Sequence, residues 1–191
     1  MDRYPGPVRD ESLAIEFHNT LYAVRGRAVD GLSDEAGLAA WLEAVSDRLP
    51  AAARPPESGR LSEYLDLRTV VREALQAALA GRLPAEAVTN ALNGASRRSP
   101  RFERLCVEAG NPGVTLGFSA SSATDIALGA VARDAISLMG TPRRFDLRAC
   151  GAPGCVLLFL KDHPRRSWCS NACGNRARQA RLQARRRGAA R

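Results

Sequence analysis

The chain has 191 residues, of which 45% are hydrophobic, and carries a formal net charge of +8. This composition is typical of a globular protein and argues against extended disorder. No apolar run reaches the roughly 18 to 20 residues that a membrane helix needs, and the N-terminus lacks the basic start and apolar stretch of a signal peptide. We therefore expect no membrane partner and a cytoplasmic protein, in which closely spaced cysteines bind metal rather than form disulfides.

The positive charge is concentrated towards the C-terminal end. Residues 143–191 contain 13 Lys/Arg and 2 Asp/Glu, whereas residues 1–142 contain 15 and 18. Only the second region has a charge that suits a polyanion. We therefore divide the chain into an N-terminal domain, residues 1–142, and a C-terminal module, residues 143–191.

The N-terminal domain is predicted to be mainly helical. Apolar residues at three- and four-residue steps predict five helices, over about residues 12–21, 33–49, 62–80, 84–94 and 124–139. A polar connection, residues 25–31, joins the first two, and Ser33 is the expected N-cap of the second. Leu13, Ile15 and Phe17 also alternate as in a strand, but their spacing to Leu21 favours the helix.

One stretch of the N-terminal domain has strand character. Residues 101–107 and 114–118 are short extended candidates on either side of a Gly- and Pro-containing segment. They predict a β-hairpin joined by a loop, residues 108–113, rather than by a tight two-residue turn. The expected fold class is therefore α+β, with a mainly helical N-terminal domain and a small β-hairpin.

No catalytic constellation is recognisable in residues 1–142. His18 is the only histidine there and is interpreted as a structural residue, while Trp41 is expected in the core and Cys106 as a small buried apolar residue. We therefore predict that the chain is not an enzyme. The alternative, a small-molecule sensor or enzyme in this domain, calls for a deep pocket lined by His18, Asn19 or Arg25.

Four of the five cysteines lie within 24 residues, as two close pairs on either side of a connection. Two pairs from two chain segments are the usual ligand set of one tetrahedral metal ion. The predicted ligands are Cys150, Cys155, Cys169 and Cys173. Because four sulfurs leave no open coordination position, we predict one structural Zn²⁺; an iron–sulfur cluster or a redox disulfide pair are the alternatives.

The sequence around the cysteines predicts a treble-clef zinc finger. Glycines and a proline between the first pair form a tight knuckle, and residues 156–160 can pair as a strand with residues 147–149. A last helix, residues 168–187, is expected to carry both Cys169 and Cys173 in its first turns, where the helix dipole favours thiolate.

The last helix is rich in arginine, which suits phosphate binding. At 100° per residue, Arg178, Arg181 and Arg185 point away from the metal, whereas Arg176 turns back towards the finger. DNA is the favoured partner, and RNA binding or a protein-interaction role is the alternative. A homodimer is allowed for, and the effector is unidentified. The predicted nucleic-acid contacts are Arg165, Arg166, Arg178, Arg181, Arg185, Arg186 and Arg187.

Two stretches resemble known families. Cys173-Gly-Asn-Arg176, together with Arg165-Arg-Ser-Trp-Cys-Ser170, resembles the CGNR zinc-finger family. The segment Leu13-Ala-Ile-Glu-Phe-His-Asn-Thr20 is similar to the opening of the ABATE domain that accompanies this finger. The resemblance implies a stress-induced bacterial transcription regulator. It also implies a treble-clef finger that binds DNA, and an N-terminal domain whose ligand is unidentified. We expect the N-terminal domain to sense a ligand or to dimerise.

Overall fold

The structure combines helices with three short antiparallel strand pairs. The computed structural model describes residues 3–108, 111–119 and 121–189. Its elements, in chain order, are α1 (Leu13–His18), β1 (Leu21–Val24), β2 (Arg27–Asp30), α2 (Glu35–Ala44), α3 (Leu61–Leu79), α4 (Glu86–Arg97), β3 (Arg101–Glu108), β4 (Asn111–Phe118), α5 (Ala123–Gly140), β5 (Leu147–Ala149), β6 (Leu158–Leu160) and α6 (Asn171–Ala189). The predicted α+β fold class is therefore confirmed.

The main core lies where α1, α3, α4 and α5 pack together. Tyr64 and Leu75 of α3 and Leu128 of α5 are all less than 2% exposed, as their three- and four-residue spacing predicts. Phe17 and Trp41 pack against each other in the same core, with ring centroids 5.0 Å apart and ring planes tilted by 39°. Among the described residues, no helix is both long and apolar enough to cross a membrane.

Side-chain caps set the start of two helices. The Ser122 hydroxyl accepts a hydrogen bond from the Asp125 backbone N–H at 3.1 Å, so α5 begins directly after it. The Asp34 carboxylate accepts from the Gly37 N–H at 2.7 Å, so the cap of α2 is Asp34 and not Ser33 as predicted. A carboxylate at this position also interacts favourably with the helix dipole.

Residues 25–31 are not the polar connection that the sequence predicts, because most of them belong to a β-hairpin. β1 pairs antiparallel with β2, with Leu21 opposite Asp30. The turn residues Arg25 and Gly26 both have positive φ, 51° and 79°, as a tight hairpin turn requires. Arg68 of α3 holds the hairpin with two hydrogen bonds to the Asp30 carboxylate, at 2.6 and 2.7 Å.

The predicted second hairpin is present, but its connection is shorter than expected. β3 and β4 pair from Arg101 opposite Phe118 to Glu108 opposite Asn111, so only positions 109 and 110 lie between the strands. Cys106 is half-buried on this ribbon and not buried as predicted. One face of the ribbon exposes large apolar side chains, those of Leu105, Val107, Val114 and Leu116.

The C-terminal region shares a strand with the main core. β6 alternates as a strand does, so Leu158 and Leu160 pack with the N-terminal helices, whereas Phe159 points into a second, smaller core around the cysteines. Leu147 of β5 also belongs to the main core. The division of the chain at residue 142 stays a prediction, and residues on both of its sides pack together.

Candidate metal centre

The four predicted ligands converge in the structure. The sulfur atoms of Cys150, Cys155, Cys169 and Cys173 all lie within 4.8 Å of one another. Two of the separations are 3.8 Å, between Cys155 and Cys169, and 3.4 Å, between Cys169 and Cys173. Four sulfurs placed at about 2.3 Å from one tetrahedral ion would be about 3.8 Å apart. The site therefore fits one structural Zn²⁺, held by four cysteines in a zinc finger.

The knuckle places the first two ligands. Cys150 follows β5, and its backbone N–H donates to the Leu157 carbonyl at 2.9 Å, which brings the two ends of the knuckle together. The Cys155 N–H donates to the Ala152 carbonyl at 3.0 Å. Gly154 has a φ of 71°, a conformation that glycine adopts without steric cost, so the chain can turn just before the second ligand.

The second pair of ligands lies where α6 begins. Cys169 precedes the helix and Cys173 lies in its first turn, so the prediction that both are helical was wrong. The reason is a cap that helical periodicity does not reveal: the Ser170 hydroxyl accepts from the Cys173 N–H at 3.3 Å. The Cys169 N–H donates to the Cys150 sulfur at 3.5 Å and so links the two pairs.

The ligand thiols differ in how readily they ionise. Burial raises the pKa of the Cys155 and Cys169 thiols above the usual value. For Cys173, burial acts in the same direction, but hydrogen bonds from Ser170 and the neighbouring cysteines outweigh it and lower the pKa. Two thiols that resist ionisation need a nearby positive charge to become thiolates, and a bound metal ion would supply that charge.

The residues around Cys173 support the centre directly. The Arg176 guanidinium donates to the Cys173 sulfur at 3.2 Å, in line with the predicted inward position of this side chain. At Gly174, a Cβ atom would lie only 2.9 Å from the Trp168 indole, so glycine allows the indole to pack against the helix backbone. The side-chain amide oxygen of Asn175 accepts a hydrogen bond from the Arg178 guanidinium. The Cys-Gly-Asn-Arg tetrapeptide thus has a structural contact at each position.

Six of the seven predicted nucleic-acid contacts are exposed. Arg181 lies against Trp168, with 5.6 Å between the guanidinium carbon and the ring centroid. Arg166 differs, because it donates to the Glu11 carboxylate at 2.5 Å and to the Leu160 carbonyl at 3.0 Å. The exposed arginines, whose contacts with nucleic acid stay predictions, are Arg165, Arg178, Arg181, Arg185, Arg186 and Arg187.

Two residues that sequence reasoning did not assign to the finger hold it against the N-terminal region. The Asn19 side chain accepts from the Leu158 N–H at 2.9 Å and donates to the Leu158 carbonyl at 3.0 Å. Glu11 accepts from the Leu160 N–H at 2.9 Å. The signal available in the sequence was the run of polar residues directly after Phe17. In the structure these residues are buried, although polar residues at an exposed helix end would be solvated.

His18, Asn19 and Arg25 differ in their exposure. Arg25 lies exposed in the β1–β2 turn, whereas His18 and Asn19 are buried. His18 Nδ1 lies 3.2 Å from the Asn19 side-chain oxygen, which already accepts from Leu158, so the imidazole is the donor. Burial lowers the pKa of His18 to about 4. The side chain is therefore neutral at physiological pH and acts in the structural role that the sequence predicts.

Two family models match the chain. The ABATE model, described as "Putative stress-induced transcription regulator", matches residues 11–142, and the CGNR zinc-finger model matches residues 147–186. No curated protein matches the chain in sequence. The second match contains all four convergent sulfurs, and the first covers more than half of the chain. The chain therefore belongs to the ABATE family and carries a zinc-binding CGNR finger.

Proposed function

We propose that this zinc-binding protein is a cytoplasmic bacterial transcription regulator that binds duplex DNA through α6. The single observation that carries the proposal is the exposed basic face of this helix. α6 contains six arginines and no acidic residue over 19 residues, a length of about 28 Å. Arg178, Arg181 and Arg185 fall within an arc of about 60° around the helix axis and form one continuous stripe.

The metal centre supports this role by fixing one end of the helix. Ala177 is buried against the cysteine cluster, whereas Arg178, Arg181 and all residues from Leu182 to Arg187 are exposed. Contact with Trp168 restricts Arg181, which lowers the entropy that a phosphate contact costs. A helix anchored at one end and exposed along the rest has the dimensions that the major groove of B-DNA admits.

The proposal assigns a regulatory role and no catalytic step to the N-terminal domain. Homodimerisation is part of it as a prediction, and the β3–β4 ribbon is the surface that favours it. An isolated two-stranded ribbon is marginally stable in water, and a second copy that covers its exposed apolar face would stabilise it. Sedimentation of the wild type and of Leu105→Lys tests this part, because we expect a dimer to dissociate when a charge is introduced there.

Salt-dependent binding to labelled duplex DNA tests the main proposal. The slope of log K against log salt is negative. Replacing Arg178, Arg181 and Arg185 together with alanine should make it shallower by about three units, about one for each lost phosphate contact. The matched control replaces the exposed Arg82, Arg97 and Arg104 with alanine and should leave the slope unchanged. Both variants should keep one zinc per chain.

An unchanged slope in the α6 variant would refute the proposed surface. Structured RNA of the same length, at the same salt, provides the second comparison. Tighter binding to RNA than to the duplex would replace the DNA proposal with the RNA alternative, and no binding to either would leave a protein-interaction module.

A further inference from the structure

A cleft of about 810 Å³ lies between the N-terminal region and the zinc finger. One wall is formed by residues 3–9, β1 and α2. The other wall is formed by the finger, including the metal ligands Cys155 and Cys173 and the first turn of α6. Small-molecule sites commonly have volumes of about 300 to 1,000 Å³ and lie between domains. The size and place of this cleft therefore suit a ligand of metabolite size.

The charged groups that line the cleft are mainly cationic. Arg3 and Arg9 contribute from the N-terminal segment and Arg176 from α6. The one acidic side chain in the lining, Glu43, is already paired with Arg54 at 2.6 Å. Among the described residues, Arg3 and Arg9 form no ion pair with a carboxylate, whereas Arg176 contacts the Cys173 sulfur. The start of α6 adds the positive end of a helix dipole.

Most of the uncharged residues in the lining are apolar. Two tyrosines, each less than 8% exposed, and two prolines contribute rigid surfaces of low conformational entropy. Aliphatic side chains complete the walls on both sides. The apolar and aromatic residues that matter here are Tyr4, Pro5, Pro7, Val8, Tyr22 and Leu157.

We propose that this cleft binds a small organic anion with an aromatic or apolar body and a carboxylate or phosphate group. The guanidinium groups bind the anionic group, because charge-assisted hydrogen bonds to planar carboxylate or to phosphate are the strongest that arginine makes. The tyrosines and prolines contact the body of the ligand. This assigns a ligand class to the regulatory role of the N-terminal domain.

Arg176 connects the cleft to the metal centre. Its guanidinium lies in the cleft lining and also donates to the Cys173 sulfur at 3.2 Å. An anion that binds Arg176 competes for this contact and perturbs the first turn of α6. Ligand binding and DNA binding are therefore coupled; this coupling rests on the proposed function, whereas ligand binding itself does not.

Calorimetric titration of the zinc-loaded full chain with 1-naphthoate and with 1-naphthyl phosphate tests the proposal. Probes of this size should bind with a Kd of about 1 mM or tighter. The comparison of the two distinguishes a carboxylate site from a phosphate site. The neutral 1-naphthylmethanol should bind at least about tenfold more weakly, because it has no negative charge to pair with the guanidinium groups. Equal affinity for the neutral probe, or no saturable binding of either anion, would overturn the proposal.

Two variants locate the binding in the cleft. Ala44 lines the cleft and is exposed, so Ala44→Trp places a bulky side chain in the cleft without disturbing the core and should weaken binding of the anions at least about tenfold. The double variant Arg3→Ala/Arg9→Ala should weaken binding at least about tenfold. The control Arg82→Ala/Arg97→Ala removes the same charge elsewhere and should bind as the wild type does. Wild-type affinity in either cleft variant would contradict the proposal, provided that zinc content is retained.

The same samples separate this inference from the proposed function. Titration with duplex DNA, with and without 1-naphthoate, should show a several-fold change in affinity. If 1-naphthoate binds but duplex DNA does not, the cleft stands and the DNA-binding proposal falls. If duplex DNA binds but neither anion does, the DNA-binding proposal stands and the cleft falls.

Discussion

In the N-terminal region, helices bury large side chains against one another. Among the described residues, the cluster around the metal site contains only eight buried apolar residues, three of them ligands and one of them supplied by β1. The first region has enough apolar surface to fold by hydrophobic burial. The second does not, because its own core is too small to offset the entropy of ordering the chain. Zinc therefore takes the place of a hydrophobic core in the finger, and the N-terminal region supplies part of the remaining contacts.

Removing a metal ligand should have the largest effect, because it should unfold the finger and leave the N-terminal region folded. Cys169→Ser is expected to lose the stoichiometric zinc and, with it, about 10 kcal/mol of apparent binding free energy that stabilises the finger. Hydrogen exchange should then be fast in the knuckle and α6 but remain slow in α3 and α5. Elemental analysis and exchange mass spectrometry measure the two effects.

The fifth cysteine provides the matched control for that experiment. Cys106 lies on β3, outside the sulfur cluster, so Cys106→Ser should keep one zinc per chain. A Cys169→Ser protein that still holds one zinc per chain would show that the ligand assignment is wrong.

Breaking the contact between the two regions should have the next largest effect. Asn19→Ala leaves the N–H and the carbonyl of Leu158 without their partners, which should cost about 2 to 4 kcal/mol of unfolding free energy. Denaturant titration measures this loss. Asn90→Ala, on an exposed position of α4, should change stability by less than about 1 kcal/mol. Equal stabilities of the two variants would contradict the role of Asn19.

The smallest expected effect is the contribution of the buried His18 to the pH dependence of stability. Because burial lowers the pKa of His18 to about 4, from about 6.5 in the unfolded chain, protons bind the unfolded state first as the pH falls. The stabilisation is present above pH 6.5 and is lost as the pH falls towards 4. Between pH 6.5 and pH 5.5 we expect a loss of about 1 kcal/mol.

Comparing variants isolates this term from the acid sensitivity of zinc binding. His18→Gln should lose the His18 contribution to the slope of stability against pH, measured by thermal unfolding at several pH values. His163→Gln, in an exposed loop, should keep the wild-type slope. Identical slopes for the wild type and His18→Gln would show that the imidazole is protonated equally in both states.

The long helices and the metal ligands could be predicted from the sequence. α3 and α5 lie within a residue or two of their predicted bounds, because long apolar stripes leave little choice of structure. The four-sulfur site was predictable because two close cysteine pairs from two chain segments are the usual ligand set of one tetrahedral metal ion. These features depend on residues whose chemistry alone restricts their surroundings.

Short elements and tertiary hydrogen bonds could not be predicted in the same way. The β1–β2 hairpin has four residues on each side, and its turn starts with Arg25, which rarely adopts positive φ. Arg166 looked like its exposed neighbour Arg165, and only the fold reveals the buried carboxylate of Glu11 as its partner. Pro112 suggested a loop, but proline is tolerated in a strand at the edge of a two-stranded ribbon.

The alternation of β6 has a consequence for protein engineering. Leu158 and Leu160 complete the N-terminal core, while Phe159 completes the core of the finger. A chimera that contains residues 147–186 alone would expose these two leucines, because the N-terminal core that covers them would be absent. The protein from which the segment is removed would be left with a cavity in its main core. A transferable finger therefore has to include α1 with Asn19 or replace both leucines with polar residues.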